Sequence, residues 1–465
     1  MNNRLSNALM YARNNQANTL QNLKEFIHLH SISTDPSVVN EVRSTASWVA
    51  NQLRRIGFED VSIYETPRHP VVYGELLLAN ESKPTVLFYG HYDVQPAEPL
   101  DLWESPPFEP TIRGDNLYGR GASDMKGQVV VGLTAVEAMI KTGNLPVNVK
   151  YLIEGEEEIG SPNLANFIRT HQELLKSDFV VNLDGGMLGP DTPTITYGLR
   201  GLAYFEIRLK GPIQDLHSGM YGGVVHNPAQ ILCELIAGMH DDQGRVTLPG
   251  YYDSVRELTE DERNELSRLP MTENFYLELT GAPDLFGENG FSPVERIGAR
   301  PTLEVNGLLS GFTGEGSKTV LPAEAMAKIS MRLVPDQDPK QVERQLIEYM
   351  NANAPSTVTW EIINLAGNKA SVMDRNIPEV KALSDAMEAT WGKKPLFRRE
   401  GGSVPVVSYM TEILDINSVL TGFGLPDDNL HGPNEKLHLP TFYRGIETII
   451  RYLDNLAKMS SPADG

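Results

Sequence analysis

Gly119-Arg-Gly-Ala-Ser-Asp-Met-Lys-Gly127 joins an extended run, Thr111 to Tyr118, to an apolar helical run, Val129 to Ile140. Glycines at 119, 121 and 127 permit a tight turn that bulkier residues would obstruct. The turn sets one carboxylate, Asp124, at a strand-to-helix junction, where α/β proteins usually place their chemistry. A carboxylate has two oxygens and can serve two cations at once. Other ligands must then lie at comparable places in the chain.

Upstream, Asn18 to His30 and Asn40 to Ile56 read as amphipathic helices, the second stopped by Gly57. Strands are expected at Val61 to Tyr64, Val71 to Leu78 and Thr85 to Tyr89, the last nearly all apolar as in a strand buried on both faces. It runs into Gly90-His-Tyr-Asp-Val-Gln-Pro96. His91 and Asp93 point to the same side of an extended backbone, and a carboxylate beside a histidine can hold its second ring nitrogen. Downstream, a strand at Val147 to Ile153 ends in Glu154-Gly-Glu-Glu-Glu-Ile-Gly-Ser161, and a helix follows from Asn163 to His171. Glu157 and Glu158 could divide the work there, one binding metal and its neighbour taking a proton from water. A strand at Phe179 to Leu183 delivers Asp184. Strands alternating with helices imply an α/β fold with a parallel or mixed sheet and a site at the carboxyl ends of its strands.

From Ile195 the pattern changes. Leu202 to Lys210 alternates, as a half-exposed antiparallel strand does. A helix (Pro228 to Met239), strands (Thr302 to Leu308, Ala325 to Leu333), a helix (Lys340 to Asn351) and a strand (Thr357 to Ile363) complete a βαββαβ, ferredoxin-like order. This α+β stretch reads as a domain inserted into the first, with a long polar insert between Asp241 and Arg300. The division is 1–197 with 372–465 for the outer domain and 198–371 for the inserted one, with hinges expected near Gly198 and Gly367. Helix–strand alternation resumes with a helix at Glu379 to Thr390, a Gly-rich turn at Arg399 to Pro405 and a strand near Ile416 to Thr421. Asn429-Leu-His-Gly-Pro-Asn-Glu435 then supplies His431 before a final helix, Thr441 to Lys458.

The totals exclude several classes. At 465 residues, 40% hydrophobic and 22% charged, the chain suits a globular protein of two or three domains. A net charge of −21 with no basic stripe argues against nucleic acid. No apolar run reaches the ~20 residues of a membrane span, and the polar, mixed N-terminus does not read as a signal peptide. The single cysteine, Cys233, allows no intrachain disulfide, suits a reducing cytoplasm and reads as a core filler. The Gly-rich turn at 400–402 lacks the Lys-Ser/Thr sequel of a phosphate-binding loop.

The ordered set His-Tyr-Asp at 91–93, Gly-Arg-Gly-Ala-Ser-Asp-Met-Lys-Gly at 119–127, Glu-Glu-Ile-Gly-Ser at 157–161, Asp184 and His-Gly-Pro-Asn-Glu at 431–435 resembles the dinuclear-zinc peptidases. That family includes carnosinase, the nonspecific cytosolic dipeptidases, aminoacylase, acetylornithine deacetylase and glutamate carboxypeptidase. The resemblance covers nearly the whole chain and implies a mixed-sheet, zinc-exopeptidase-like catalytic domain with an inserted lid and dimerisation domain. It implies two divalent metal ions per chain, zinc foremost, with manganese or cobalt as other occupants. Asp124 would bridge them, His91 and Asp184 completing one ion and Glu158 and His431 the other. Glu157 would be the general base and Asp93 would orient His91. Gly160 fixes this register and leaves Glu156 as an extra surface or outer charge.

Within the family, the phrases Thr196-Tyr-Gly-Leu-Arg-Gly201, Asp215-Leu-His-Ser-Gly219, Lys318-Thr-Val-Leu-Pro322, Ser330-Met-Arg332 and Glu400-Gly-Gly-Ser403 resemble the carnosinase-type dipeptidases. That likeness implies a homodimer through the lid, with His217 steadying the oxyanion in the neighbouring subunit's site. Thr319, Arg332 and Ser403 would contact the substrate's carboxylate end. A planar arginine fork suits a free C-terminus. The expected activity is therefore hydrolysis of small peptides by a metal-bridging water that Glu157 activates. Two alternatives stay open: an N-acyl-amino-acid deacylase or desuccinylase, and a silent metal-dependent dimeric scaffold.

Overall fold

The computed structural model describes residues 3–79, 83–143, 145–402 and 404–458. It divides into two compact units: Met1–Tyr197 with Met373–Phe397 and Pro405–Gly465, and Gly198–Val372 with Arg398–Val404. Relative to the sequence reading, Val372 and residues 398–404 group with the second unit. The reason is local. Arg200 donates its backbone N–H to the Glu400 carbonyl at 3.3 Å and its Nε–H to the Gly401 carbonyl at 3.2 Å, and Arg399 pairs with Glu262.

In the first unit the sheet is mixed. Its strands lie in the order Asp60–Tyr64, Val71–Leu76, Asn148–Glu154, Thr85–His91, Phe179–Asn182, Ser418–Leu420 and Thr194–Leu199. The middle of this series is parallel: Thr85–His91 pairs in parallel with both Asn148–Glu154 and Phe179–Asn182. Asn148–Glu154 is buried along its whole length, which explains its run of apolar residues. Helix Lys126–Lys141 carries apolar residues all round and packs on Thr85–His91 and on helix Leu439–Leu456. A helix at Asn3–Asn14, where the sequence showed only a polar mixed stretch, also packs on Leu439–Leu456. Among the described residues no helix is long and apolar enough to cross a membrane.

The run Thr111–Tyr118, expected to be continuous, is a hairpin. Its strands are Thr111–Arg113 and Asn116–Tyr118, turning through Gly114 at φ +57°. Asn116–Tyr118 also pairs with Lys436–His438, so the strand feeding Asp124 belongs to a small separate sheet. That pairing carries the chain before Lys436 to the Asp124 turn.

In the second unit four antiparallel strands lie in the order Thr302–Ser310, Glu324–Leu333, Gly201–Lys210 and Thr359–Asn368. Numbered along the chain this is 2-3-1-4, the ferredoxin-like arrangement that the element order implied. Alternate residues Ala325, Ala327, Ile329, Met331 and Leu333 enter a core shared with helices Pro228–Ala237 and Pro339–Asn353. The insert between 241 and 300 contains three short helices, Glu260–Leu266, Glu273–Thr280 and Pro293–Ala299. Cys233 is not a core filler: helix Pro228–Ala237 buries Ile231, Leu232 and Leu235 and leaves Cys233 exposed.

Candidate metal centre

Three neighbouring parallel strands end at one place. Thr85–His91 ends in His91, directly beside Glu154, and Phe179–Asn182 stops two residues short of Asp184. The Asn182 side chain accepts the Asp184 N–H at 2.7 Å, which fixes the turn. After Glu154 the chain makes a short 3-10 turn, Glu157–Ile159, closed by Gly160 in the left-handed region. Asp93, two residues past the end of strand Thr85–His91, caps that turn. Its carboxylate accepts the N–H groups of Glu157 at 3.3 Å and Glu158 at 3.1 Å.

The Asp124 turn depends on two glycines. Gly121 has φ +81°, and a Cβ on Gly127 would sit 2.2 Å from the Ala122 carbonyl oxygen. Only glycine fits where the helix start approaches the backbone this closely. Asp124 Oδ1 then lies 3.2 Å from His91 Nε2, and its Oδ2 lies 3.0 Å from His431 Nε2. Asp184 Oδ2 stands 4.0 Å from His91 Nε2, and Glu158 Oε2 stands 3.4 Å from His431 Nε2. Two groups of three result, His91–Asp124–Asp184 and Asp124–Glu158–His431, each with ligand atoms within 4.8 Å of one another. They share Asp124.

The donor chemistry suits cations. His91 Nδ1 faces the Asp93 carbonyl at 3.0 Å, which can only accept, so that nitrogen carries a proton. Its Nε2 lone pair then points at carboxylate oxygens, also lone-pair donors. Such a contact needs a proton or a metal ion between the partners. The protein groups alone register this shortage of positive charge. Burial pushes the Glu158 carboxyl up to about 8, and the Asp124 charge adds to the effect. Burial also holds Glu157 well above the ordinary carboxyl range, reinforced by Asp184, Glu158 and Asp124. For Asp124 burial acts upward, but hydrogen bonds from His431 and His91 win and hold it low. The Asp124 hydrogen bond raises His431, and bonds to Asp124 and Asp93 outweigh burial in raising His91. Protons collect where cations would sit.

The remaining expected site residues lie in the second unit. His217 is exposed on the two-residue strand Leu216–His217, paired with Val320–Leu321. Its Nδ1 accepts the Gly219 N–H at 3.0 Å, which leaves the Nε2–H as an outward donor. Thr319 is adjacent: its carbonyl accepts the Ser218 N–H at 3.0 Å. Arg332, half-buried, lies on the non-core face of Glu324–Leu333 and lines a cavity of about 410 Å³ with Arg200, Ser330 and Asn306. Ser403 falls outside the described residues.

Sequence reasoning missed several supports. Gln95 donates to Glu158 Oε2 at 2.8 Å. Glu154 Oε1 accepts from Tyr89 at 2.7 Å and Ser161 at 2.9 Å, and burial pushes its carboxyl up to about 8. Glu156 is no surface charge. It is buried, and accepts from Thr66 at 2.6 Å and from the His69 N–H at 2.8 Å. Asp93 orients His91 through its main-chain carbonyl at 3.0 Å and, less closely, through its carboxylate at 3.4 Å, and the same carboxylate holds the two glutamates. Arg120 and Glu435 stood inside quoted motifs without a role. A charge within a glycine-rich turn was the one available signal for them.

Comparison with known proteins follows the same lines. The model of peptidase family M20/M25/M40 matches residues 87–455. The chain is 34% identical over 457 residues to the Cys-Gly metallodipeptidase dug1 of Schizosaccharomyces pombe, covering 94% of this chain and 95% of that one. It is 30% identical over 473 residues to the human Beta-Ala-His dipeptidase, covering 98% and 93%. Among solved structures it superposes on the M20 family metallo-carboxypeptidase Sso-CP2 of Sulfolobus solfataricus with a TM-score of 0.86. That pair shares 33% identity, and the match covers 95% of this chain and 99% of the other.

Proposed function

Because the chain belongs to peptidase family M20/M25/M40, we propose that it is a metal-dependent dipeptidase acting on small peptides with a free C-terminal carboxylate. The observation that carries this reading is the shared carboxylate: Asp124 turns one oxygen to each of two histidine–carboxylate groups. His91, Asp124 and Asp184 would hold one divalent ion, and Asp124, Glu158 and His431 the other. We take zinc as the native metal, with manganese or cobalt as replacements. Such ions, when bound, polarise a carbonyl and make water a nucleophile near neutral pH.

The protein's own groups do the rest. Glu157 belongs to neither ligand group, and its raised pKa suits a carboxylate that receives a proton from the attacking water. The same carboxyl then passes that proton to the leaving amine nitrogen. Asp93 keeps Glu157 and Glu158 in place through their N–H groups. The Nε2–H of His217 is free to donate to the developing oxyanion. Arg332 would take the substrate carboxylate with its fork, and Thr319 and Ser403 would contact the same end of the substrate. His217 would act in the partner subunit's site. Strand Thr302–Ser310 supports a dimer through the second unit, since it is an edge strand exposing Val305, Leu308 and Leu309.

The deacylase alternative gains nothing from the relatives, which are named as peptidases, nor the scaffold alternative from a donor set complete with its base. Metal-stripped protein reloaded with zinc, manganese or cobalt should cleave free dipeptides. It should spare their C-terminal amides and the N-acetyl and N-succinyl amino acids. Preference for the acylated amino acids would move it to the deacylases, and no turnover with two ions bound would leave a scaffold.

A further inference from the structure

Arg120 and Glu435 are buried charges that no step above uses. Arg120 Nη1 donates to Glu435 Oε2 at 2.7 Å. That oxygen also accepts the Gly121 N–H at 2.8 Å, and Oε1 accepts those of Ser123 at 2.9 Å and Asp124 at 3.0 Å. Glu435 therefore holds the turn that presents Asp124. The other arm of the guanidinium, Nη2, donates to the carbonyls of Pro96 and Gly432, both at 3.1 Å. Pro96 follows Gln95, the donor to Glu158, and Gly432 follows His431. One ion pair thus ties together the segments that carry or support Asp124, Glu158 and His431.

The two ligand groups differ in what else holds them. His91 is fully buried at the end of a central parallel strand. His431 is 57% exposed, on a loop where Asn429, His431 and Asn434 all have φ between 55° and 60°. Non-glycine residues enter that region at a cost and stay there only when neighbours hold them. Arg120 is one such hold. A buried ion pair adds little net stability, so its value here lies in geometry. We propose that Arg120 and Glu435 are positioning residues for the Asp124–Glu158–His431 cation site, and that this site fills after the His91 site. The inference rests on the two-cation reading of the centre.

The test is zinc titration of metal-free protein against a competing chelator, with histidine ring signals followed by NMR. The parent should bind two equivalents, the His91 signals responding before those of His431. Arg120→Lys keeps the charge but cannot span three acceptors. It should bind its first zinc within about twofold of the parent and its second roughly 10–100-fold more weakly. Saturating zinc should restore its turnover with an unchanged KM, which a general loss of fold would not allow. Glu435→Gln also loosens the turn that carries Asp124, which both groups share, so it should weaken both equivalents, the second more than the first. Equal weakening of both equivalents, or no change in the second, would overturn the proposal. Should Arg120→Lys fail to fold, Glu435→Gln and the filling order in the parent decide: His431 responding first or together with His91 refutes it. A parent that binds fewer than two ions overturns the two-cation reading itself, and the proposal with it.

Discussion

Glu157→Gln should slow the enzyme and stabilise the metal-free protein at once. The substitution keeps the shape of the side chain and removes its ability to take a proton. General base catalysis contributes about 10²–10⁴ in rate, or roughly 3–5 kcal/mol of barrier. Turnover should fall by that factor with little change in KM. Both metal ions should stay, since Glu157 lies in neither ligand group. The stability effect follows from the raised pKa, caused first by burial and then by Asp184, Glu158 and Asp124. Below the ordinary glutamate value of 4.5 the carboxyl is protonated in both folded and unfolded chains, and no penalty arises. Above it the unfolded chain ionises while the folded one resists, so folding loses free energy as pH rises towards the folded value. Glutamine removes that loss. Thermal melts of chelator-treated protein should therefore coincide near pH 4 and separate towards pH 8, the variant melting higher. Turnover within tenfold of the parent would show that another group carries the proton. A variant that melts lower at pH 8 would contradict the electrostatic picture of the cluster.

Three further outcomes test the second unit. Arg332→Lys should cost about 1.5–3 kcal/mol in kcat/KM for dipeptides, through loss of the paired hydrogen bonds to the carboxylate. C-terminally amidated dipeptides should show almost no difference between variant and parent; an equal loss on both substrates would place Arg332 away from the carboxylate. If His217 acts across a dimer, Glu157→Gln and His217→Ala chains should each be inactive alone. Subunits mixed at random should then recover about a quarter of parental activity, because each mixed dimer has one intact site. Leu308→Glu on the exposed edge strand should give monomers by sedimentation and abolish that recovery, whereas an active monomer would rule out sharing.

The sequence carried the fold where one signal dominated. The buried strand expected at 85–89 and the alternation at 202–210 read correctly because burial on two faces or one leaves different patterns. The convergence of the candidate ligands was legible for a similar reason: His91, Glu158 and Asp184 sit at or just past strand ends and Asp124 in a glycine turn, so spacing in the chain translates into place. What stayed hidden depends on contacts between distant segments. The hairpin at 111–118 reads as one extended run in sequence because strand-like triplets flank its short turn signal, Gly114-Asp115-Asn116. Glu156 reads as an extra surface or outer charge because two of its partners, Thr66 and His69, lie far away in sequence, although a third, Asn163, is near. Cys233 reads as core from its apolar neighbours, although the helix turns it outward. Arg120 and Glu435 are separated by 315 positions, and the pairing of Asn116–Tyr118 with Lys436–His438 helps bring them together.

Counting metal ions in purified protein and in Asp124→Asn by elemental analysis puts the shared carboxylate to trial. Asp124 is the one residue common to both ligand groups, so its loss should affect both ions together. The parent should hold two equivalents per chain after equilibration with limiting free zinc, and Asp124→Asn fewer than one under the same conditions. Two equivalents retained by the variant, or a parent that never exceeds one, would contradict a centre built around Asp124.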